Sequence, residues 1–165
     1  MENPYFVGRE VLIYTSTMLK TNLTLLLLLA LNVTLKAQTT EDEKAIIQVI
    51  EQETRDFTQM PFSEVAKKHW ILDAKTFILV NDKEREPKML RQEDMLANNE
   101  LAPQEKMTVL KENYIITVVG DMANVYCQQT VTHHEYNSVQ NSHEVRSMQK
   151  VNGVWKLHNL TVLNY

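Results

Sequence analysis

The chain has little of several residue types, and each shortage excludes a class of site. Its one cysteine, Cys127, cannot form an internal disulfide or a thiolate metal cluster. Three glycines among 165 residues leave almost no material for a glycine-rich, phosphate-binding loop. Lys and Arg number 17 against 21 Asp and Glu, so nucleic acid is not expected as a partner. The spacings typical of catalytic nucleophiles and of zinc ligands are absent as well.

The N-terminal sequence predicts an exported protein with a single domain. Residues 18–37 combine the early Lys20, a leucine-rich run and the small residue Ala37, as a secretory signal peptide does. The apolar run is shorter than the roughly 20 residues of a membrane-spanning helix, although an uncleaved anchor is the alternative. We therefore expect signal cleavage, a periplasmic or secreted location without a membrane partner, and a domain over 38–165. Residues 1–17 are interpreted as an upstream start artefact.

Hydrophobic periodicity predicts helices first and strands afterwards. Residues 39–57 combine an acidic first turn with apolar residues at helical spacing. A second helix is predicted over 61–70, a strand over 75–80 and a third helix over 88–101. Four long strands, separated by turn residues, follow Pro103. This order predicts an α+β fold in which about three helices pack on one face of an antiparallel sheet.

Tight turns predict how the four long strands pair. Gly120-Asp121 and Asn152-Gly153 are both interpreted as two-residue hairpin turns. A middle turn over 138–141 would place His133 opposite Arg146. Side-chain alternation then assigns ten mostly apolar residues to one face: Leu110, Tyr114, Ile116, Val118, Val125, Cys127, Val131, Met148, Trp155 and Leu157. The opposite face is expected to hold an apolar island suited to a dimer contact, formed by Val145, Leu160 and Val162.

This register predicts a cavity with polar groups at one end. His133, Arg146 and Asn159 would lie together there, while Trp70 and Tyr114 would supply aromatic walls. Because an imidazole ordinarily changes charge near neutral pH, His133 is a candidate to act with Arg146 in binding a carboxylate or polarising a carbonyl group. The alternative for the two aromatic residues is a place in the hydrophobic core.

Arg146 also has a structural alternative, in which it pairs with Glu135 or Glu144 and orders the strand ends. Asp73 is a second catalytic candidate beside His133, because a buried carboxylate gains the raised pKa of a general base. Its place between a helix and a strand equally suits a turn residue. His133 and His134 are adjacent on a strand and point to opposite faces, so they cannot share a metal ion. No metal site and no cofactor are predicted.

These patterns resemble the nuclear-transport-factor-2-like superfamily, especially its SnoaL-like branch. The resemblance covers about residues 41–165 and includes HWILDAKTFILV and the final hairpin EVRSMQKVNGVWKL. Its matching positions are Arg146, Gly153, Trp155, Lys156, Leu157 and the pair Asp73-Ala74. The implied fold is a strongly curved sheet wrapped around the helices as a cone with an internal pocket, often in a dimer.

The superfamily includes ketosteroid isomerase, scytalone dehydratase and limonene epoxide hydrolase, beside many members without known catalysis, so fold alone does not decide function. We expect a homodimer that binds a small, partly apolar ligand in its cone, without catalysis. One alternative is a metal-independent acid–base lyase, isomerase or hydrolase. The other is a protein-interaction module whose cone is filled by its own side chains.

Overall fold

Three helices and six strands make up residues 40–83, 85–99 and 107–165, the part of the chain that the computed structural model describes. Helix α1 spans 40–57, α2 spans Phe62–His69 and α3 spans Gln92–Ala97. The strands are β1 Phe77–Asn81, β2 Lys88–Arg91, β3 Met107–Val119, β4 Met122–His133, β5 Ser138–Val151 and β6 Val154–Asn164. No helix in these ranges is long and apolar enough to cross a membrane. Residues Asp42–Tyr165 form one compact unit.

The six strands form one curved, unclosed sheet in the order β2-β1-β6-β5-β4-β3. Neighbouring strands are antiparallel except β1 and β6, which run parallel with Ile78 opposite Leu160. The predicted cone-shaped α+β fold is thus confirmed, with this parallel pair as the departure from an antiparallel sheet.

Helix α1 packs on the sheet through residues one helical turn apart. Ile46 and Ile50 are fully buried and belong to the same core cluster as Met148 and Leu157. Near its start, Asp42 accepts hydrogen bonds from Lys150 Nζ at 2.5 Å and from Trp155 Nε1 at 3.1 Å. These contacts fasten the helix to the β5–β6 hairpin.

The two short hairpin turns form where the sequence predicts them. Val119 pairs with Met122 across the first turn, and Val151 pairs with Val154 across the second. Asn152 and Gly153 both have positive φ, at 52° and 81°, as the turn that matches strand twist requires.

The predicted middle turn was wrong by several residues. The chain reverses at 134–137, so His133 pairs with Ser138 and Arg146 pairs with Val125. Val125 and His133 are eight positions apart on β4, which separates the two predicted site residues by roughly 26 Å along the strand. Because the register error is an even number of residues, the side chains of β4 and β5 still lie on their predicted faces.

Two bulges reverse side-chain faces that strict alternation predicts. In β3 the register shifts between Glu112 and Ile115, so Leu110 is 54% exposed instead of facing the core. A second shift, beside Ser147, turns Leu160 and Val162 inward. The predicted outer island was therefore wrong for both residues.

The predicted third helix, over 88–101, was wrong in its first turn and at 98–99, and its last two residues lie outside the described part of the chain. Lys88–Arg91 pairs with β1 as an edge strand, and the helix begins only at Gln92. The Arg91 backbone N–H donates to Asp94 Oδ2 at 2.9 Å, which gives this backbone donor a partner at the helix start. Strand pairing thus overrides helical periodicity in this segment.

We predict that Gly153→Ala lowers the free energy of unfolding by about 1–2 kcal/mol, because a Cβ is strained at positive φ. In the described part of the chain, no heavy atom beyond the adjoining residues lies within 4 Å of the added Cβ, so the loss measures backbone strain rather than a clash. Urea unfolding followed by tryptophan fluorescence would measure it. Gly153→Asn is the control and should lose less, since Asn tolerates this conformation. Equal losses in both variants would contradict this explanation.

Candidate functional site

A cavity of about 320 Å³ lies between helices α1 and α2 and the inner face of the sheet. Apolar side chains from both helices and from every strand except β5 form its walls. Charged side chains gather at one end of it: Glu53 from α1, Lys111 from β3, and Glu144 and Arg146 from β5. The cavity therefore combines a mainly apolar surface with one strongly polar end.

The four charged residues form one buried ion cluster centred on Arg146. Its Nη1 donates to Glu53 Oε2 at 3.1 Å and its Nε donates to Glu144 Oε2 at 3.0 Å. Lys111 Nζ donates to the same Glu144 oxygen at 2.6 Å and to Gln129 Oε1. All four charged side chains are at most 7% exposed. Two cations face two anions, so the cluster is neutral as a unit.

Residue spacing explains why these side chains meet. Glu53 follows Ile46 and Ile50 at helical spacing, on the face of α1 that packs on the sheet. Glu144 and Arg146 are two residues apart on β5, so both point inward. The ion pair between Arg146 and Glu144 confirms the contact in the structural alternative for this arginine, although it lies within the sheet rather than at the strand ends.

The cluster environment lowers the pKa values of both Glu144 and Lys111. Burial alone would raise the pKa of Glu144, but the nearby charges of Arg146 and Lys111 lower this pKa to about 2. Burial lowers the pKa of Lys111, and the positive charge of Arg146 lowers it further. Glu144 is therefore ionised at neutral pH.

Arg146 is the one predicted pocket residue that lines this cavity. Within the described residues, Trp70 and Tyr114 lie outside its lining. Trp70 is 2% exposed and belongs to the core, while Tyr114 is partly buried against it. The indole Nε1 and the phenolic oxygen have no hydrogen-bond partner within the described part of the chain.

The other predicted site residues lie elsewhere in the fold. His133 ends β4 beside the turn. The Asn159 side-chain oxygen accepts a hydrogen bond from the Phe77 backbone N–H at 3.1 Å, which joins β6 to β1. Neither side chain lines the cavity as described. The predicted gathering of His133, Arg146 and Asn159 was therefore wrong.

Asp73 occupies the turn before β1. Its Oδ1 accepts hydrogen bonds from the Lys75 backbone N–H at 2.8 Å and from the Thr76 hydroxyl at 3.2 Å, and lies 3.3 Å from His158 Nε2. The Lys75 hydrogen bond is the main reason that its pKa is lowered. The side chain is 46% exposed, so desolvation is too weak to outweigh these hydrogen bonds and raise the pKa to that of a general base.

Sequence reasoning missed Glu53, Lys111 and the true place of Glu144. The signal for Glu53 is an acidic residue at a core position of an amphipathic helix. Lys111 required knowledge of the bulge in β3, for which Asn113 is the only local signal, because Asn tolerates positive φ. Among the described residues, no three His, Cys, Asp or Glu side chains are grouped to hold a metal ion.

Comparison with solved structures identifies the fold. A protein from Novosphingobium aromaticivorans, described as NTF2-like with a cystatin-like fold, matches with a TM-score of 0.58 at 13% identity, over 81% of this chain and 88% of that one. An NTF2-like protein of unknown function from Silicibacter pomeroyi matches with 0.55 at 10% identity, over 77% and 98%. The chain has an NTF2-like fold.

A third NTF2-like neighbour carries a functional description. It is a candidate ketosteroid isomerase from Shewanella frigidimarina, with a TM-score of 0.52 and 17% identity over 72% of this chain and 94% of that one. At such identities the likeness concerns the fold and not the reaction. No protein-family model matches the sequence, and comparison with curated proteins gives no match. Placement in the SnoaL-like branch stays a prediction.

We predict that Arg146→Met lowers the free energy of unfolding by about 3–5 kcal/mol, because two buried carboxylates would then share only Lys111. Lys67→Met is the control, since it removes an ion pair with Glu64 in which both side chains are 55% exposed. That loss should stay below about 1 kcal/mol. Urea unfolding at neutral pH would measure both. Similar losses would contradict the central place of Arg146.

The low pKa of Glu144 predicts an acid-sensitive contribution to stability. The contribution is complete above the ordinary pKa of 4.5 and is lost as pH falls towards about 2, since the unfolded chain then binds a proton that the folded chain does not. Its size is on the order of 3 kcal/mol. Glu144→Gln should therefore be far less stable than the wild type at pH 7, with the gap narrowing on acidification.

Urea unfolding of both proteins at a series of pH values would measure this gap. Glu64→Gln, a change at an exposed ion pair, should differ from the wild type by no more than about 0.5 kcal/mol throughout. A gap for Glu144→Gln that is independent of pH would contradict the prediction.

Proposed function

We propose that this protein binds a small, mainly apolar, neutral ligand in the cavity of its cone. The observation that carries the proposal is the cavity of about 320 Å³ with apolar walls and one charged end. Its volume falls within the range of small-molecule sites, and its few polar groups would fix the orientation of a ligand.

The cavity favours ligand binding over the interaction-module alternative. A cone filled by its own side chains would leave no space of this size, because protein interiors are otherwise packed as densely as organic crystals. The inward turn of Leu160 and Val162 extends the apolar wall and still leaves the space open.

The charge balance of the cluster favours a neutral ligand. Glu53 and Glu144 already face Arg146 and Lys111, so a bound carboxylate would add a third anion without a further cation in the cluster. Burying such an unpaired charge is costly. A neutral ligand therefore replaces the carboxylate ligand considered from the sequence.

The same cluster favours binding over acid–base catalysis. An efficient general base has a pKa near the working pH, whereas that of Glu144 is about 2. The candidates Asp73 and His133 do not line the cavity as described. A lyase, isomerase or hydrolase would need a proton-transfer group that these residues do not provide.

The proposal includes the location and assembly expected from the sequence. A signal peptide over 18–37 would place the protein outside the cytoplasm. For a homodimer, the supporting observation is a row across the outer face of the sheet, where Ile115, Tyr126 and Val145 are neighbours. Ile115 is 65% and Val145 is 44% exposed. Apolar side chains grouped in this way suit a contact with a second copy.

Native mass spectrometry of the protein purified from cells that express the full chain would test the proposed ligand binding, signal cleavage and dimer formation. We expect a dimer mass, a chain that begins near Gln38, and a co-purifying neutral small molecule that is released on unfolding. An intact chain or a monomer mass would contradict the corresponding part.

A paired set of variants tests whether a ligand occupies this cavity. Val109 lines it, whereas its neighbour Leu110 on β3 points outward. We predict that Val109→Phe weakens binding of the neutral fluorescent probe N-phenyl-1-naphthylamine at least about tenfold by filling the space, while Leu110→Phe binds as the wild type does. Fluorescence titration would measure both affinities. Equal binding by the two variants would place the probe elsewhere and contradict the proposal.

A further inference from the structure

Lys111 reaches the cavity only because β3 contains a bulge. Asn113 has a φ of 57°, and the register with β4 shifts between Glu112 and Ile115. Asn113 Nδ2 donates to Gln128 Oε1 at 2.5 Å, which holds the bulge in place. Without the extra residue, alternation would turn Glu112 inward and Lys111 outward. Bulges commonly redirect a side chain in this way beside a functional site.

The strand register places Lys111 between the buried charges and the apolar walls. On the inner face of β4, Val125 lies opposite Arg146, Cys127 lies opposite Glu144 and Gln129 lies opposite Lys111. The next inward pair is Val109 with Val131, and both of these residues line the cavity wall. Lys111 is therefore the charged residue next to the apolar part of the cavity.

Arg146 is already paired with carboxylates of the protein. Its guanidinium holds the carboxylates of both Glu53 and Glu144, and its side chain is only 2% exposed. Arg146 lies opposite Val125, whereas Lys111 lies opposite Gln129, two inward-facing positions further along β4 and closer to the apolar walls. A ligand at this end of the cavity would therefore contact Lys111 before Arg146.

The ammonium group of Lys111 retains one hydrogen-bond donor. An ammonium has three N–H groups and no acceptor. Among the described residues, Lys111 Nζ donates to Gln129 and to Glu144, which accounts for two of the three. A buried donor without a partner costs about 1–3 kcal/mol, so a ligand atom that accepts this third hydrogen bond would be favoured.

We infer that Lys111 selects neutral ligands that present a carbonyl-type acceptor oxygen to the charged end of the cavity. This inference rests on the proposed ligand-binding function and adds the chemical class of the ligand. The apolar remainder of the ligand lies against Val109 and Val131, while Glu53 and Glu144 keep carboxylates away. Lys111 is a specificity-determining residue and takes part in no bond-making step.

A matched pair of ligands tests the inference. The probes are 2-acetonaphthone, which carries a ketone oxygen, and 2-ethylnaphthalene, which has a similar shape without it. We expect the full-length protein to bind the ketone about tenfold more tightly, because its acceptor pairs with a charged donor. In Lys111→Met the ratio of the two affinities should fall to about one. Lys67→Met, which removes an exposed lysine, should keep the wild-type ratio.

A measurement on the wild type covers the case in which Lys111→Met does not fold. The infrared carbonyl stretch of bound, isotope-labelled 2-acetonaphthone should lie at a lower frequency than in a hydrocarbon solvent, as hydrogen-bond donation requires. An unshifted band would overturn the inference.

The outcomes separate the inference from the function on which it rests. Equal wild-type binding of the two probes would overturn the role of Lys111 and leave the ligand cavity in place. Tighter binding of 2-naphthoate than of 2-acetonaphthone would overturn the selection of neutral ligands. No binding of any of the three would overturn both proposals.

Discussion

The contact between one arginine and two carboxylates, buried inside the cone, determines how the helices and the sheet fit together. Arg146 on β5 meets Glu53 on α1, 93 residues earlier in the chain, and both are shielded from water. Buried charges are tolerated only when their partners are in place, so few placements of α1 satisfy this contact. The same contact forms the polar end of the cavity. One interaction thus holds α1 on the sheet and also forms the polar end of the cavity.

Local signals predicted the fold well where a short stretch of chain decides the geometry. Asn152-Gly153 is a turn in any context that allows positive φ, and Pro61 separates the first two helices as expected. The pairing of β4 with β5 depends instead on which of two polar stretches makes the turn, and the residues near Ser138 resemble those at 134–137. Neighbouring strands, rather than local preference, made Lys88–Arg91 a strand.

Part of the site was predictable from residue spacing along a single strand. Arg146 and the option of its pairing with Glu144 follow from their spacing of two on one strand. Lys111, Leu160 and Val162 reach the cavity because single-residue bulges reverse their faces, and a bulge has almost no sequence signature beyond a residue such as Asn113. Glu53 joins the cluster through the docking of a helix, which no local pattern specifies.

The position of β6 has a consequence for the order in which the molecule can be built. This last strand lies between β1 and β5, and β1 and β2 join the rest of the sheet only through it. During synthesis β1 and β2 therefore wait for β6, which follows them by more than 60 residues, and this long separation favours slow completion of the sheet. Until then the apolar faces of both parts are exposed. Strand β6 thus joins the two parts of the sheet. A chain that stopped before it would have β1–β2 and β3–β5 as separate fragments.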